Sequence, residues 1–388
     1  MSATQPERQN APGQLYGWID RRTGLTSVWN ALFTRKIPLG VGYLYTLGFA
    51  TAFVFTLQAA TGIFLAMYYS PSPDHAYDSI QFIMYQVPFG PVVRGLHHWG
   101  ASAMVILVLL HMITVFVLGA YKYPRELTWI VGVGLLLLTM AFGFTGYLLP
   151  WDEKAYWATV VGTNIPGTLP LIGGYLTPII RGSAQLGVLT LSRFFAVHTM
   201  LLPTALAGLL LIHLYLVVYH GVSVPPALWE RTPRRLRALL GTEEAVETTN
   251  SKENYHRRYE RFKRLGHAFW PNIVAEDAIV AGLALVGIVA FTIAEGVPLE
   301  ARADPTNTAY VPRPEWYFMF LFQFLKYFPG NLEWVGSVVI PSLIILVILL
   351  LPLYDRSLVR SPTRRPVALA LAALLIAATV YLTYVAYQ

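Results

Sequence analysis

The sequence predicts an all-α integral membrane protein with seven transmembrane helices, four forming an N-terminal bundle and three following it. Three observations predict this. Of 388 residues, 55% are hydrophobic and 13% charged, with a mean hydropathy of +0.50, outside the range of soluble domains. Seven charge-free apolar stretches, near 41–68, 95–121, 127–151, 194–219, 278–294, 334–354 and 367–387, are long enough or nearly so to span a bilayer. All 28 lysines and arginines fall outside them.

The elements divide the chain into four parts. Residues 1–40 are polar, with an amphipathic surface segment, "YGWIDRRTG". They lack the charged, short apolar and small-residue regions of a cleaved leader, so the first stretch should itself direct insertion. Residues 41–219 hold four helices, 220–272 form a basic linker, and 273–388 hold the last three helices. The N-terminal segment and the loops after stretches two, four and six carry 21 of the 28 basic residues. The positive-inside rule therefore places the N-terminus and the linker in the cytoplasm. The net charge of +7 follows from that bias. "RTPRRLR" and "RRYERFKR" are read as facing lipid headgroups or partner subunits rather than nucleic acid.

The chain has no cysteine. Disulfides, thiolate-held iron–sulfur clusters and thioether-attached haem are excluded within it. Any redox cofactor must have other ligands.

Of nine histidines, His97 and His111 lie inside the second membrane helix and His198 and His213 inside the fourth. Fourteen residues advance a helix by about 21 Å and return the side chain to within about 40° of the same face; fifteen advance it about 22 Å and leave it about 60° off. Both helices run in the same direction, so His97 matches His198 in depth and His111 matches His213. A lone membrane histidine more commonly hydrogen-bonds a neighbouring helix. Two pairs at matched depth instead suit bis-histidine ligation of two haems with no open position. His98 is thirteen residues from His111, about 220° round the helix, and should not be a ligand.

Gly48 and Gly62 on the first helix and Gly132 and Gly146 on the third repeat the fourteen-residue interval. Helix packing is the ordinary use of such glycines. Here Gly62 and Gly146 fall at the depth of the outer histidines and Gly48 and Gly132 at that of the inner ones. Without a Cβ they would let a flat macrocycle approach the backbone.

"PRPEWYFMFLFQFLKYF", residues 312–328, sets Glu315 among aromatics on the outer side. A carboxylate against apolar surface is suited to proton transfer, whereas one in a solvated loop is not.

These features resemble cytochrome b of the cytochrome bc/b6f family, from about residue 15 to the end. The motifs are "RGLHHWGAS", "PRELTWIVGV", "FGFTGYLLPWD", "YWATVV", "RGSAQLGVLTLSRFFAVHT", "PEWYF" and "SPTRRPVA". The His198 to His213 gap and the seven-helix count resemble the b6 form, in which the first four and last three helices are separate polypeptides; here they are fused. The resemblance implies two non-covalent b-type haems, quinol oxidation outside with one electron to a Rieske iron–sulfur protein, and quinone reduction on the cytoplasmic side. It further implies a c-type cytochrome or equivalent acceptor and a homodimeric complex. Glu315, with Tyr147 and Tyr317, would serve the quinol site; Arg94 would meet an outer haem propionate; His220, Asp277 and His267 are candidates at the quinone-reducing site. His75 and His256 are ordinary loop residues. The chain departs from the pattern at Thr46, where the split form has a cysteine binding an extra haem, so no covalent haem is expected. It also has Thr114 where an arginine usually meets the inner propionate, with Lys122 or Arg125 as replacements. A di-haem membrane anchor of a hydrogenase or formate dehydrogenase is the redox alternative, disfavoured by the last three helices. A proton-relaying transporter is the other, disfavoured by the matched histidine depths.

Overall fold

The structure is a computed structural model that describes residues 11–230 and 252–388. Residues 1–10 and the "RTPRRLR" arginines, 231–237, lie outside the described residues. Among the described residues seven helices are long and apolar enough to cross a membrane: α1 (Leu47–Ala66), α2 (Gly90–Val117), α3 (Glu126–Tyr147), α4 (Val188–His220), α5 (Phe269–Ala294), α6 (Gly330–Tyr354) and α7 (Pro366–Tyr387). The all-α membrane fold is as the composition requires. Among the described residues the sole sheet is a two-residue pair, β1 (Lys36–Ile37) against β2 (His267–Ala268), with Lys36 opposite Ala268.

Several helices begin earlier than the charge-free runs. α2 starts at Gly90, with Pro91 in its first turn where no amide donor is needed. It accommodates Arg94 because that guanidinium donates to the carbonyls of Val297 at 3.3 Å and Pro298 at 2.9 Å. α4 starts before Arg193, whose Nη1 donates to the Ile179 carbonyl at 2.8 Å. α5 starts nine residues before 278, and Glu276 and Asp277 fall in the first turn of its regular part, Val274–Ala294, where carboxylates suit the helix dipole. Charge marked a helix end in sequence where the fold supplies a partner instead.

α1 packs on α2 and α3 on α4, with α2 and α3 touching, so the four make one bundle. α5 lies against α1 and α2, and α6 against α3. The short helix Trp316–Leu325 packs on α7, which has no buried residue of its own.

The connections gather at two ends, as alternating spans demand. At one, β1 and β2 join the N-terminal segment to the α4–α5 linker. Lys122 Nζ meets Asp355 Oδ1 at 2.8 Å, and the fully buried Arg360 donates to the Tyr123 carbonyl at 2.8 Å and Ser223 Oγ at 3.2 Å. Val224, Trp229, Tyr255, Tyr259 and Phe262 form a small core beneath. At the other end the Glu153 amide donates to the Ala301 carbonyl at 2.9 Å, and Tyr77 Oη donates to the Glu300 carbonyl at 2.9 Å. There Leu148, Trp151, Tyr156, Leu191 and Phe194 pack together.

Candidate functional site

The bundle brings its four histidines together in two pairs. Ring centroids of His97 and His198 are 6.4 Å apart, and those of His111 and His213 are 6.5 Å apart. Two imidazoles bound on opposite sides of a metal at about 2.0 Å per nitrogen would have centroids about 6 Å apart, so each gap fits one metal atom. Each level offers two protein nitrogens, and among the described residues no group of three or more His, Cys, Asp or Glu side chains could hold a metal. A metal there must bring its remaining ligands with it, as the four nitrogens of a porphyrin do.

The fifteen-residue interval on α4 has a local cause. His198 lies in a π-helical turn, Val197–Leu201, in otherwise α-helical chain, ending two residues before Pro203. A π turn absorbs one extra residue. Fifteen residues then carry the phase of about fourteen α-helical ones, and His198 and His213 share a face much as His97 and His111 do. The sequence held a signal for this in Pro203.

The glycines face the histidines one to one. A Cβ on Gly62 would lie 3.2 Å from His97 Cε1, on Gly146 2.5 Å from His198 Cε1, on Gly48 3.1 Å from His111 Cε1 and on Gly132 3.3 Å from His213 Cε1. All four contacts are tighter than side chains ordinarily make. The slots therefore fit a flat macrocycle between paired imidazoles. His98 points elsewhere, edge-on to Trp99 with centroids 5.0 Å apart. Arg94 is buried and engaged with Val297 and Pro298, tying α2 to the loop after α5.

At the inner level Thr114 is half-buried. The two cations considered as replacements for a propionate-binding arginine have other partners. Lys122 is held by Asp355, while Arg125 donates to Tyr255 Oη and the Gly221 carbonyl, each at 2.8 Å, and to the His220 carbonyl at 3.2 Å.

Glu315 caps the end of the PEWYF loop, immediately before the helix Trp316–Leu325. The sequence placed it among aromatics; the structure adds a cation, Lys154, whose Nζ lies 2.8 Å from Oε1. Tyr147 Oη donates toward the Lys154 and Arg313 carbonyls, at 3.1 and 3.4 Å, tying the end of α3 to both segments. Tyr317 is buried, its ring within 3.0 Å of where a Gly143 Cβ would stand. Phe144 packs edge-on against Phe318, centroids 6.4 Å apart, and also lines an apolar pocket of about 500 Å³ with Thr145, Ile180, Phe194 and Val197. Lys154 was missed because nothing local links positions 161 apart.

At the opposite end the candidates sit on three different elements and differ in burial. Asp277 is buried in the first turns of α5, His220 is half-buried at the end of α4, and His267 is exposed on β2. Arg35, just before β1, stacks on Phe269 with its Cζ 4.6 Å from the ring centroid. Burial lowers its pKa, partly offset by Tyr259 and Asp277. Thr46 is buried, with its hydroxyl donating to the Tyr43 carbonyl at 2.8 Å. His75 and His256 are exposed.

Comparison with known proteins gives the same two-part division. The family model "Cytochrome b/b6/petB" matches residues 32–221, and "Cytochrome b(C-terminal)/b6/petD" matches residues 302–388. Over 220 residues the chain is 42% identical to the menaquinol:cytochrome c reductase cytochrome b subunit of Geobacillus thermodenitrificans, covering 55% of this chain and 98% of the relative. It is 40% identical over 211 residues to cytochrome b6 of Prochlorothrix hollandica, covering 54% and 95%. A solved structure described as "Hyperthermophilic respiratory Complex III" superposes with a TM-score of 0.78 at 28% identity, covering 96% of this chain and 91% of that one. With both units matched in one polypeptide and the histidines and glycines facing in pairs, the chain belongs to the cytochrome b/b6 family, in its fused form.

Proposed function

We propose that the chain is the cytochrome b subunit of a bc-type quinol:cytochrome c oxidoreductase. It would act with a Rieske iron–sulfur protein and a c-type cytochrome or equivalent acceptor, in a dimeric complex of the bacterial plasma membrane. The observation that carries this reading is the stacking of two histidine pairs, each with a metal-sized gap and two facing glycines. When bound between them, two b-type haems supply one-electron centres that let charge cross the low-dielectric interior. His97 and His198 would hold the outer haem and His111 and His213 the inner, with the glycines giving room.

Oxidation of a quinol releases two electrons and two protons. Glu315 accepts the first proton from a quinol hydroxyl, through Oε2 while Oε1 stays with Lys154, or through either oxygen once that pair opens. Phe144 and Phe318 bury the ring face, and Tyr147 and Tyr317 hold the loop that aims the carboxylate. One electron leaves to the Rieske partner and the other enters this chain. The distribution of lysine and arginine supports an orientation with Glu315 outside and the N-terminus in the cytoplasm, in which the protons leave outside. At the cytoplasmic end Asp277 and His220 are the groups that protonate a reduced quinone. Net proton movement outward results.

The test is quinol-driven reduction followed at the b-haem bands of the purified complex, with the cytoplasmic quinone site inhibited. Rapid reduction is expected in the wild type and slow reduction in Glu315→Gln. No b-type absorbance change on adding quinol to the wild type would overturn the reading.

A further inference from the structure

The residue preceding each facing glycine differs between the two levels. It is threonine at the Glu315 end, Thr61 before Gly62 and Thr145 before Gly146, and aliphatic at the other, Leu47 before Gly48 and Val131 before Gly132. Thr61 Oγ1 lies 2.9 Å from His97 Nδ1, and Thr145 Oγ1 lies 3.0 Å from His198 Nδ1. A hydroxyl has one hydrogen, and here it is already committed. Thr61 donates to the Leu57 carbonyl at 2.7 Å and Thr145 to the Ala141 carbonyl at 2.8 Å.

Each hydroxyl can therefore only accept from the ring, so Nδ1 carries the proton and Nε2 keeps its lone pair. At the other level the pattern stops. His213 Nδ1 is buried with no side-chain partner, facing only the Thr128 backbone, and among the described residues no threonine hydroxyl bonds His111 or His213. Threonines in helices commonly return their hydroxyl to the preceding turn; what sets these two apart is that the same oxygen receives a histidine N–H.

We propose that Thr61 and Thr145 are positioning residues that fix the tautomer of His97 and His198 and bias the centre between them toward its oxidised state. The inference rests on the bis-histidine haem reading. An acceptor on the distal N–H makes imidazole a stronger donor, which favours the higher oxidation state of the metal it binds. Because each threonine also donates to a carbonyl, the two hydrogen bonds polarise one another. Without this support, the inner centre holds an electron more readily. An electron arriving at the Glu315 end is then passed inward rather than retained.

The test uses Thr61→Val, Thr145→Val and the pair together, which keep the β-branched shape and remove the acceptor. The purified complex is poised electrochemically and the reduced fraction of each b centre read optically, the outer one identified by its loss in His97→Ala. In the double variant the outer centre should be several-fold more reduced at a given poise, with the inner unchanged, and serine at both positions should restore wild-type behaviour. The converse variant, Val131→Thr, puts a hydroxyl before Gly132 at the His213 level and should make the inner centre several-fold harder to reduce. Unmoved reduced fractions in the double valine variant overturn the inference. If the valine variants lose the outer haem, Val131→Thr decides, and an unmoved inner centre overturns it. A wild-type protein without b-type absorbance would instead remove the haem reading on which it rests.

Discussion

Lys154 Nζ and Glu315 Oε1 are 2.8 Å apart, joining the segment after α3 to the PEWYF loop across 161 positions of sequence. Both side chains are partly exposed, at 28% and 19%, so the pair contributes about 0–1 kcal/mol. Under the proposed function the cation orients the carboxylate, and the carboxylate takes the proton. Lys154→Met should change the rate of quinol-driven haem reduction by less than about tenfold, whereas Glu315→Gln should lower it by about 10²–10⁴-fold. Stopped-flow reduction of the two variants side by side checks this. Equal losses would assign the ammonium, not the carboxylate, the larger part.

Lys122 makes a different kind of pair. Its side chain is 1% exposed, and Asp355, which also accepts from Tyr121 Oη, is its ion-pair partner. Removing the carboxylate strands a buried cation, so Asp355→Ala should destabilise the fold by about 3–5 kcal/mol, seen as a lower midpoint of thermal unfolding in detergent. Burial alone would raise the Asp355 pKa, but the hydrogen bonds from Lys122 and Tyr121 hold it below the usual carboxylate range. A depressed carboxyl contributes stability in full above its unfolded value, and that contribution is lost as pH falls through the folded one. The wild-type midpoint should accordingly drop below about pH 4, and Asp355→Asn should flatten that part of the profile.

The glycine contacts rank four substitutions. A Cβ at Gly146 would meet His198 at 2.5 Å, against 3.1 to 3.3 Å at the other three. Gly146→Ala should lose more haem than Gly48→Ala, Gly62→Ala or Gly132→Ala, measured as haem per chain in purified protein. His98→Ala should keep both haems, since that ring faces Trp99 rather than the slot. Similar haem contents in all four glycine variants would show that the clash is relieved by ring movement.

Much of this architecture is legible in the sequence because its causes are local and periodic. Seven apolar runs must be helices in a bilayer, where a backbone has no other way to satisfy its polar groups. The fourteen-residue intervals of histidine and glycine likewise become shared faces by helix geometry alone. The missing parts depend on tertiary partners. Arg94 and Arg193 enter helices only because distant carbonyls receive them, and Lys154 meets Glu315 only after folding. The π turn at His198 depends on helix packing as well as on Pro203, so a regular helix drawn from the sequence leaves His213 about 60° astray.

The absence of cysteine and the presence of Thr46 bear on cofactor attachment. Denaturing electrophoresis with haem staining should leave no stained band at the 43.3 kDa of this chain. A band there would require an attachment chemistry that uses no thiol.

The most direct measurement of the two-haem account is the haem content of the purified complex, by reduced-minus-oxidised spectrum and extracted haem, in the wild type and in single histidine variants. The expected result is two b-type haems per chain in the wild type, one in His97→Ala or His198→Ala with the inner centre retained, and one in His111→Ala or His213→Ala with the outer retained. A wild-type chain with a single b-type haem or none, or a His97→Ala variant that keeps both, would contradict it.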